Sequence, residues 1–357
     1  MKLNKEMSCL VTGGAGFIGC ALSPQLAGLF GRVVAIDNLH PQIHARRERP
    51  SALHAACELR IEDVTNPRTW DDLLPVFRPD VIIHLAAETG TGQSLMESSR
   101  HAMVNVVGTT QMLDGLSRHE HFPQTMILSS SRAIYGEGAW QRSDGSIFYP
   151  GQRTRLQLEA AAWDFPDACP KPFVATQTQA APTSVYGATK LTQEHLIRAW
   201  CFALGTSPRI LRLQNVYGPG QSLTNPYTGI VSLFVRMAKA GQSIPLYEDG
   251  MMTRDFIIVD DVASAIIAAL ASDHEDLLAD IGTGRATTIQ EVAEIIARRY
   301  GAPAPHVCGK YRDGDVRHAA CEIDRSCALL EWKPEIDLET GLNRLCAWID
   351  DQNIETC

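Results

Sequence analysis

The sequence predicts an α/β protein, a doubly wound parallel sheet followed by a smaller C-terminal α/β lobe. Three observations carry that reading. The apolar run Cys9-Leu10-Val11 ends in the glycine-rich turn Thr12-Gly13-Gly14-Ala15-Gly16-Phe17-Ile18-Gly19 and passes into a helical pattern. Further short apolar runs, at 33–36, 81–85, 126–128 and 210–213, alternate with stretches of helical periodicity. At 357 residues, 45% of them hydrophobic, the chain is long enough for one large sheet or two lobes sharing a cleft.

The first turn has the form of a phosphate cradle. Gly13 permits a tight reversal, Gly16 removes the Cβ that would block a pyrophosphate, and Gly19 lets the helix lie close on the strand. An anion there faces free N–H groups, those of Phe17 and Ile18 among them, at the positive end of the helix dipole. Asp37 ends the second apolar run about 20 residues on, placed to accept both ribose hydroxyls and to repel a 2′-phosphate. That spacing favours NAD over NADP, with Asn38 beside it.

The segment 40–50, rich in Arg, His and Pro, reads as an exposed loop over the adenosine end. A short strand at 58–61 leads to Asp63 and Val64, where a carboxylate can reach the adenine amino group; a solvated turn acid is the competing reading. A helix over 67–77 precedes the strand that runs through Leu85 into Ala86-Ala87, small residues past which a cofactor backbone fits. The next helix, 99–119, carries Asn105, expected to hold water or main chain near a nicotinamide, or else to be a satisfied core amide. The strand at 126–128 ends in Ser129-Ser130-Ser131, where ligands bind in open α/β sheets.

Periodicity is lost between Gly136 and Pro182, and the insertion 137–182 is expected to fold over the active site. Ser184 then opens a helix over 185–204 in which Tyr186 and Lys190, four apart, share one face. A strand at 210–213 reaches Asn215, and there the even alternation stops. Short helices at 230–240, 260–270 and 289–300, with loops carrying Arg254, Asp255, Arg312, Asp315 and Arg317, read as a lobe closing over substrate. The expected division is 1–215 for the dinucleotide and 216–357 mainly for substrate, with segments returning to the first lobe.

A formal charge of −9 argues against a nucleic-acid surface. No apolar run is long enough for a membrane span, and no signal core precedes Met7. Ten cysteines with no Cys-x-x-Cys pair read as reduced thiols in a cytoplasmic protein. No metal site is expected, because Pro41 separates His40 from His44 and favours a loop.

Tyr186 and Lys190 are the chemical centre. A phenolate useful at neutral pH needs the tyrosine pKa lowered by about 3 units, roughly 4 kcal/mol of differential stabilisation. Lys190 one turn on and the positive nicotinamide of NAD+ are the two charges available for it, with Ser131 keeping the shared proton aligned.

The motifs Thr12 to Gly19, Asp37, His84-Leu85-Ala86-Ala87, Asn105-x-x-Gly108-Thr109, Ser129-Ser130-Ser131-x-x-x-Tyr135-Gly136, Tyr186-x-x-x-Lys190 and Asn215-Val216-Tyr217-Gly218-Pro219 resemble the extended short-chain dehydrogenase/reductases. Within them the chain is similar to nucleotide-sugar epimerases and dehydratases. The resemblance implies a Rossmann domain with tightly held NAD, a C-terminal domain for a nucleotide-diphosphate sugar, and a homodimer joined by a four-helix bundle. It assigns catalysis to Ser131, Tyr186 and Lys190, and the sugar diphosphate to Asn215, Arg254 and Arg312, with Thr91 beside the sugar.

One departure bears on reaction type. The related 4,6-dehydratases follow the catalytic hydroxyl residue with an Asp-Glu pair, and here those positions are Arg132 and Ala133. Elimination therefore lacks its proton carriers, and reversible oxidation at C4 remains. The loop 88–94 and the Trp163-Asp164-Phe165-Pro166 stretch resemble dTDP-L-rhamnose 4-epimerase-like members more than UDP-galactose 4-epimerases. A keto-sugar nucleotide reductase or dehydrogenase and a catalytically silent NAD-binding protein stay open.

Overall fold

The computed structural model describes residues 3–223, 225 and 229–352. The chain begins with β1 (Ser8–Thr12), α1 (Phe17–Leu29), β2 (Arg32–Asp37), β3 (Cys57–Ile61), α2 (Pro67–Leu73), β4 (Val81–His84), α3 (Thr91–Met96) and α4 (Ser98–Ala102). A π-helical turn, Met103–Val107, leads into α5 (Gly108–Arg118) and β5 (Thr125–Ser131). After a 3₁₀ turn, Arg132–Tyr135, come β6 (Trp140–Arg142), β7 (Ile147–Phe148), α6 (Arg155–Glu159), β8 (Ala168–Pro170), α7 (Val185–Leu204), β9 (Ser207–Leu213) and β10 (Asn215–Tyr217). The remainder is α8 (Ile230–Lys239), β11 (Pro245–Leu246), β12 (Thr253–Arg254), β13 (Phe256–Ile258), α9 (Val259–Ala271), β14 (Leu277–Ile281), β15 (Thr287–Thr288), α10 (Ile289–Tyr300), β16 (His306–Val307), β17 (His318–Ala319), α11 (Asp324–Leu330) and α12 (Leu338–Asp351).

Alternation along the strands dictates the layers. Cys9 and Val11 of β1 pack with Leu22 and Leu26 of α1 and with Val262 and Ile266 of α9. Leu10, between them, faces the opposite side with Trp70 of α2, Met112 and Leu116 of α5 and Ile197 of α7. The result is a seven-stranded sheet in the order β3-β2-β1-β4-β5-β9-β14, parallel throughout and covered on both faces. The order reverses at β1, so the crevice for ligands opens above its carboxyl end. A second core gathers α8, α10 and α12 around Phe256 and Ile258.

Three expectations need correction. The alternation does not stop at Asn215, because α9 and β14 continue it and β14 completes the sheet beside β9. The strand was hidden by Asp280, a carboxylate that accepts a hydrogen bond from the Tyr135 hydroxyl at 2.8 Å inside the core. The helix expected over 99–119 is broken by the π-helical turn that carries Asn105.

The insertion does not cover the site. It forms the antiparallel sheet β7-β6-β8 and lies against the C-terminal lobe through a buried ion network. Arg153 donates to Glu137 at 3.2 Å, to both oxygens of Glu248 at 2.9 and 2.8 Å, and to the Asp315 carbonyl at 2.8 Å. Arg317 bridges Glu248, Asp249 and Asp164. The insertion thus braces the loop bearing Arg312 and Asp315, and none of its described residues lines the cavity.

Helix α7 is fixed at its start and at its middle. Ser184 caps it by accepting from the Gly187 N–H at 3.0 Å, and the Tyr186 N–H donates to Ser94 Oγ at 3.0 Å. Farther along, Glu194 accepts from Arg212 of β9 at 3.0 and 2.8 Å and from the Ser130 hydroxyl of β5. Both charged partners are buried, so removing one leaves the other uncompensated. Glu194→Ala is expected to cost about 3–5 kcal/mol in urea unfolding, an order of magnitude set by such buried pairs.

Candidate active site

A cavity of about 510 Å³ runs from the Gly13–Gly19 turn along the carboxyl ends of the central strands to Arg254 and Arg312. Every predicted site residue except Asn105 lines it.

The cofactor end fits a dinucleotide. Gly13 has φ +67°, and a Cβ there would lie 2.7–2.9 Å from the backbone of Leu85 and Ala86. A Cβ on Gly16 would meet only the Gly13 carbonyl, at 3.2 Å, leaving the space above the turn open. The reason expected for Gly19 changes: its Cβ would strike Gly14 of the turn at 2.5 Å, and it is Gly14 that lies against the next strand, at Ala35. Helix α1 follows its N-cap Gly16 with no side-chain cap and no acidic residue in its first turn, so the N–H groups of Phe17 and Ile18 are available to a phosphate.

Asp37 sits at the end of β2, accepting from the Ala15 N–H at 3.1 Å and the Leu39 N–H at 2.9 Å, with His44 at 3.7 Å. Asn38 donates to Asp63 at 3.0 Å, and Thr65 donates to the other oxygen of Asp63 from its N–H and hydroxyl. Against the pull of burial, those bonds hold Asp63 below the ordinary carboxylate range. The carboxylates at the two strand ends are thereby fixed before any ligand arrives.

Asn105 does not line the cavity. It is fully buried, accepts from the Glu88 N–H at 2.8 Å, and donates to the Glu88 carbonyl at 3.0 Å and to Thr189 at 2.9 Å. Its amide ties the wall segment at Glu88 to α7, which is the main-chain role the sequence allowed.

The three residues expected to carry catalysis converge from two elements. Ser131 ends β5, and Tyr186 and Lys190 project from the first turns of α7 into the same cavity. Burial raises the Tyr186 pKa, and a hydrogen bond with Ser131 and the nearby charge of Arg132 oppose that rise. Burial also brings Lys190 down to about 7, with Glu194 acting the other way. The full ammonium charge expected of Lys190 is therefore only partly present at neutral pH in the chain alone. Under it, burial and the Lys190 charge push His84 down to about 3. Its ring stays neutral, hydrogen-bonded to Thr12 at 2.7 Å and Thr109 at 2.9 Å. The edge of His101 closes the far side of Tyr186, with ring centroids 6.2 Å apart.

At the substrate end Asn215 accepts from Arg132 at 2.6 Å, Arg254 is buried with Asp315 at 3.9 Å, and Arg312 lies 5.1 Å above the Tyr247 ring. Thr91 stands at the start of α3 on the opposing wall. Sequence reasoning did not place Arg132 and Gln214 in the cavity wall, where the structure puts both. Arg132 was read only as a missing acid, although its place next to Ser131 was a signal. Gln214, next to Asn215, is buried at the cavity wall with neither amide atom hydrogen-bonded among the described residues.

A family model described as the NAD dependent epimerase/dehydratase family matches residues 9–155 and 160–280. The chain belongs to that family. A dTDP-L-rhamnose 4-epimerase of Burkholderia thailandensis is 61% identical over 341 residues, spanning 95% of this chain and 94% of that protein. A UDP-glucose 4-epimerase of Mycolicibacterium smegmatis is 27% identical, covering 94% of this chain and 96% of its own. Among solved structures, a Thermotoga maritima UDP-glucose 4-epimerase with UDP-glucose superposes with a TM-score of 0.76 at 26% identity, over 96% of this chain and 99% of that one. The Thermus thermophilus UDP-glucose 4-epimerase in complex with NAD gives 0.75 at 25%, over 97% and 99%.

The family's cofactor is NAD, and the glycine turn and Asp37 fit it. Gly13→Ala is expected to abolish NAD binding in calorimetry, because the added methyl meets backbone and the φ is left-handed. Circular dichroism should still show the folded sheet.

Proposed function

We propose that the chain is an NAD-dependent nucleotide-sugar 4-epimerase acting on dTDP-L-rhamnose. The observation that carries the reaction type is the pair Arg132 and Ala133 after Ser131, positions with no carboxyl to eliminate water. The 61% identity to a dTDP-L-rhamnose 4-epimerase supports the substrate.

Bound NAD supplies the acceptor for the C4 hydride and the donor that returns it. Tyr186 takes the C4 hydroxyl proton as the carbonyl forms and gives it back on re-reduction, while Ser131 keeps the oxygen aligned with the phenol. Lys190 adds positive charge beneath Tyr186 as its amine protonates. The Gly13–Gly19 turn, Asp37, Asn38, Asp63, Val64 and Leu85 to Ala87 hold the cofactor, with Asn105 setting the wall behind it. Arg254 and Arg312 hold the diphosphate with charge-assisted forks, and Thr91 and Asn215 flank the sugar. The division of labour follows: 1–215 chiefly binds NAD and 216–357 mainly the nucleotide sugar.

We place the enzyme in the cytoplasm, consistent with nine free cysteines among the described residues. No described helix is long and apolar enough to cross a membrane. We assign it a homodimer joined by a four-helix bundle, a reading supported by the exposed Met103 in the π-helical turn before α5 and the exposed Phe202 on α7.

The test is incubation of the NAD-loaded enzyme with dTDP-L-rhamnose and, separately, with UDP-glucose, read by NMR for the C4 epimer. Conversion of the first without net change in nicotinamide absorbance is expected; turnover of neither removes the substrate assignment, and stoichiometric absorbance change makes the enzyme a reductase or dehydrogenase. Tyr186→Phe should lower turnover by about 10²–10⁴-fold, the usual share of a positioned acid–base group. Its NAD content should match the wild type.

A further inference from the structure

Arg132 occupies the position where the proposed reaction has no use for an acid, yet it faces the reacting centre. It opens the 3₁₀ turn directly after Ser131 and lines the cavity with Tyr186, Asn215 and Arg254. Its Nε donates to Asn215 Oδ1 at 2.6 Å, which fixes the plane of the guanidinium. Among the described residues its two terminal nitrogens make no hydrogen bond and it forms no ion pair. A guanidinium whose terminal nitrogens line a cavity without hydrogen-bond acceptors is costly to desolvate, and the cost is offset where a ligand supplies the acceptors.

The charges around it define what it can act on. Arg132 is faced by Arg254, Asp315, Tyr186 and Glu137, and burial together with the Arg254 charge lowers it to about 9, which leaves it a cation at neutral pH. Tyr186 is faced by Ser131 and Arg132 from the end of β5, by His101 from α4, and by Lys190 from its own helix. Burial holds His101 below its ordinary value and brings Lys190 down to about 7. Arg132 is thus the permanent positive charge beside the phenol.

We propose that Arg132 is a catalytic residue: its open fork grips the sugar oxygens beside C4, and its charge stabilises the anion that Tyr186 and the C4 oxygen share. This rests on the epimerase reading for its substrate arm, but not for its effect on Tyr186. A neutral side chain at 132 withdraws positive charge, so the Tyr186 pKa rises and the active phenolate appears at higher pH. Lysine keeps the charge without the planar fork, so it restores the titration but not the grip on the sugar.

The experiment compares wild type, Arg132→Met and Arg132→Lys, each loaded with NAD and shown to be folded by thermal melting. Tyrosinate difference absorbance, referenced to Tyr186→Phe, reads the titration of residue 186 without any substrate. Arg132→Met should move it up by about one unit, a tenfold change in the proton equilibrium, and shift the rising limb of kcat against pH equally. Arg132→Lys should return the titration to the wild-type position while KM stays raised. An unchanged titration in Arg132→Met, or a rise in KM with kcat and its pH profile intact, overturns the proposal. A wild type that epimerises neither sugar refutes the substrate reading, and the tyrosinate titration still decides the charge effect.

Discussion

The site depends on one buried interaction, the bidentate pair between Glu194 of α7 and Arg212 of β9, to which the Ser130 hydroxyl of β5 also donates. It ties a helix to two neighbouring strands one turn beyond Lys190. With the Ser184 cap and the Ser94 bond at the helix start, it fixes α7 so that Tyr186 meets Ser131 across the strand end. Proton transfer tolerates little error in distance, and a helix held only by apolar contacts would be freer to slide.

Electrostatically the site is held short of its active state. Burial raises Tyr186 and brings Lys190 near neutrality, while His84 is kept uncharged beneath them. The influences that oppose the rise of Tyr186 come from Ser131 and Arg132 and not from α7. In the proposed account part of the required charge comes from bound NAD, which couples deprotonation of Tyr186 to a loaded site, and part from Arg132, which is present throughout. An enzyme that must return every hydride it removes gains from such coupling, since an idle phenolate beside an empty crevice has no partner.

Much of the first lobe was legible because its signals are local. The glycine turn, Asp37 and the Tyr186–Lys190 spacing each depend on a few adjacent residues, and helix α7 matches its expected span residue for residue. What escaped depends on contacts distant in sequence. Asp280 disguised β14 because its partner, Tyr135, lies 145 residues away. Nothing near the insertion announces that Arg153 meets Glu248 and Asp315 rather than the cavity. Asn105 looked like a ligand contact because polar residues on apolar helix faces serve ligands or main chain alike, and only the fold shows Glu88 above it.

The central claim is that the same hydrogen leaves C4 and comes back to it inside this cavity, with Tyr186 moving only the hydroxyl proton. The direct measurement uses dTDP-L-rhamnose carrying deuterium at C4, turned over in ordinary water and analysed by NMR and mass spectrometry. The account predicts that the epimer retains the deuterium at C4, because water protons never reach that carbon. Replacement of the label by solvent hydrogen would contradict it.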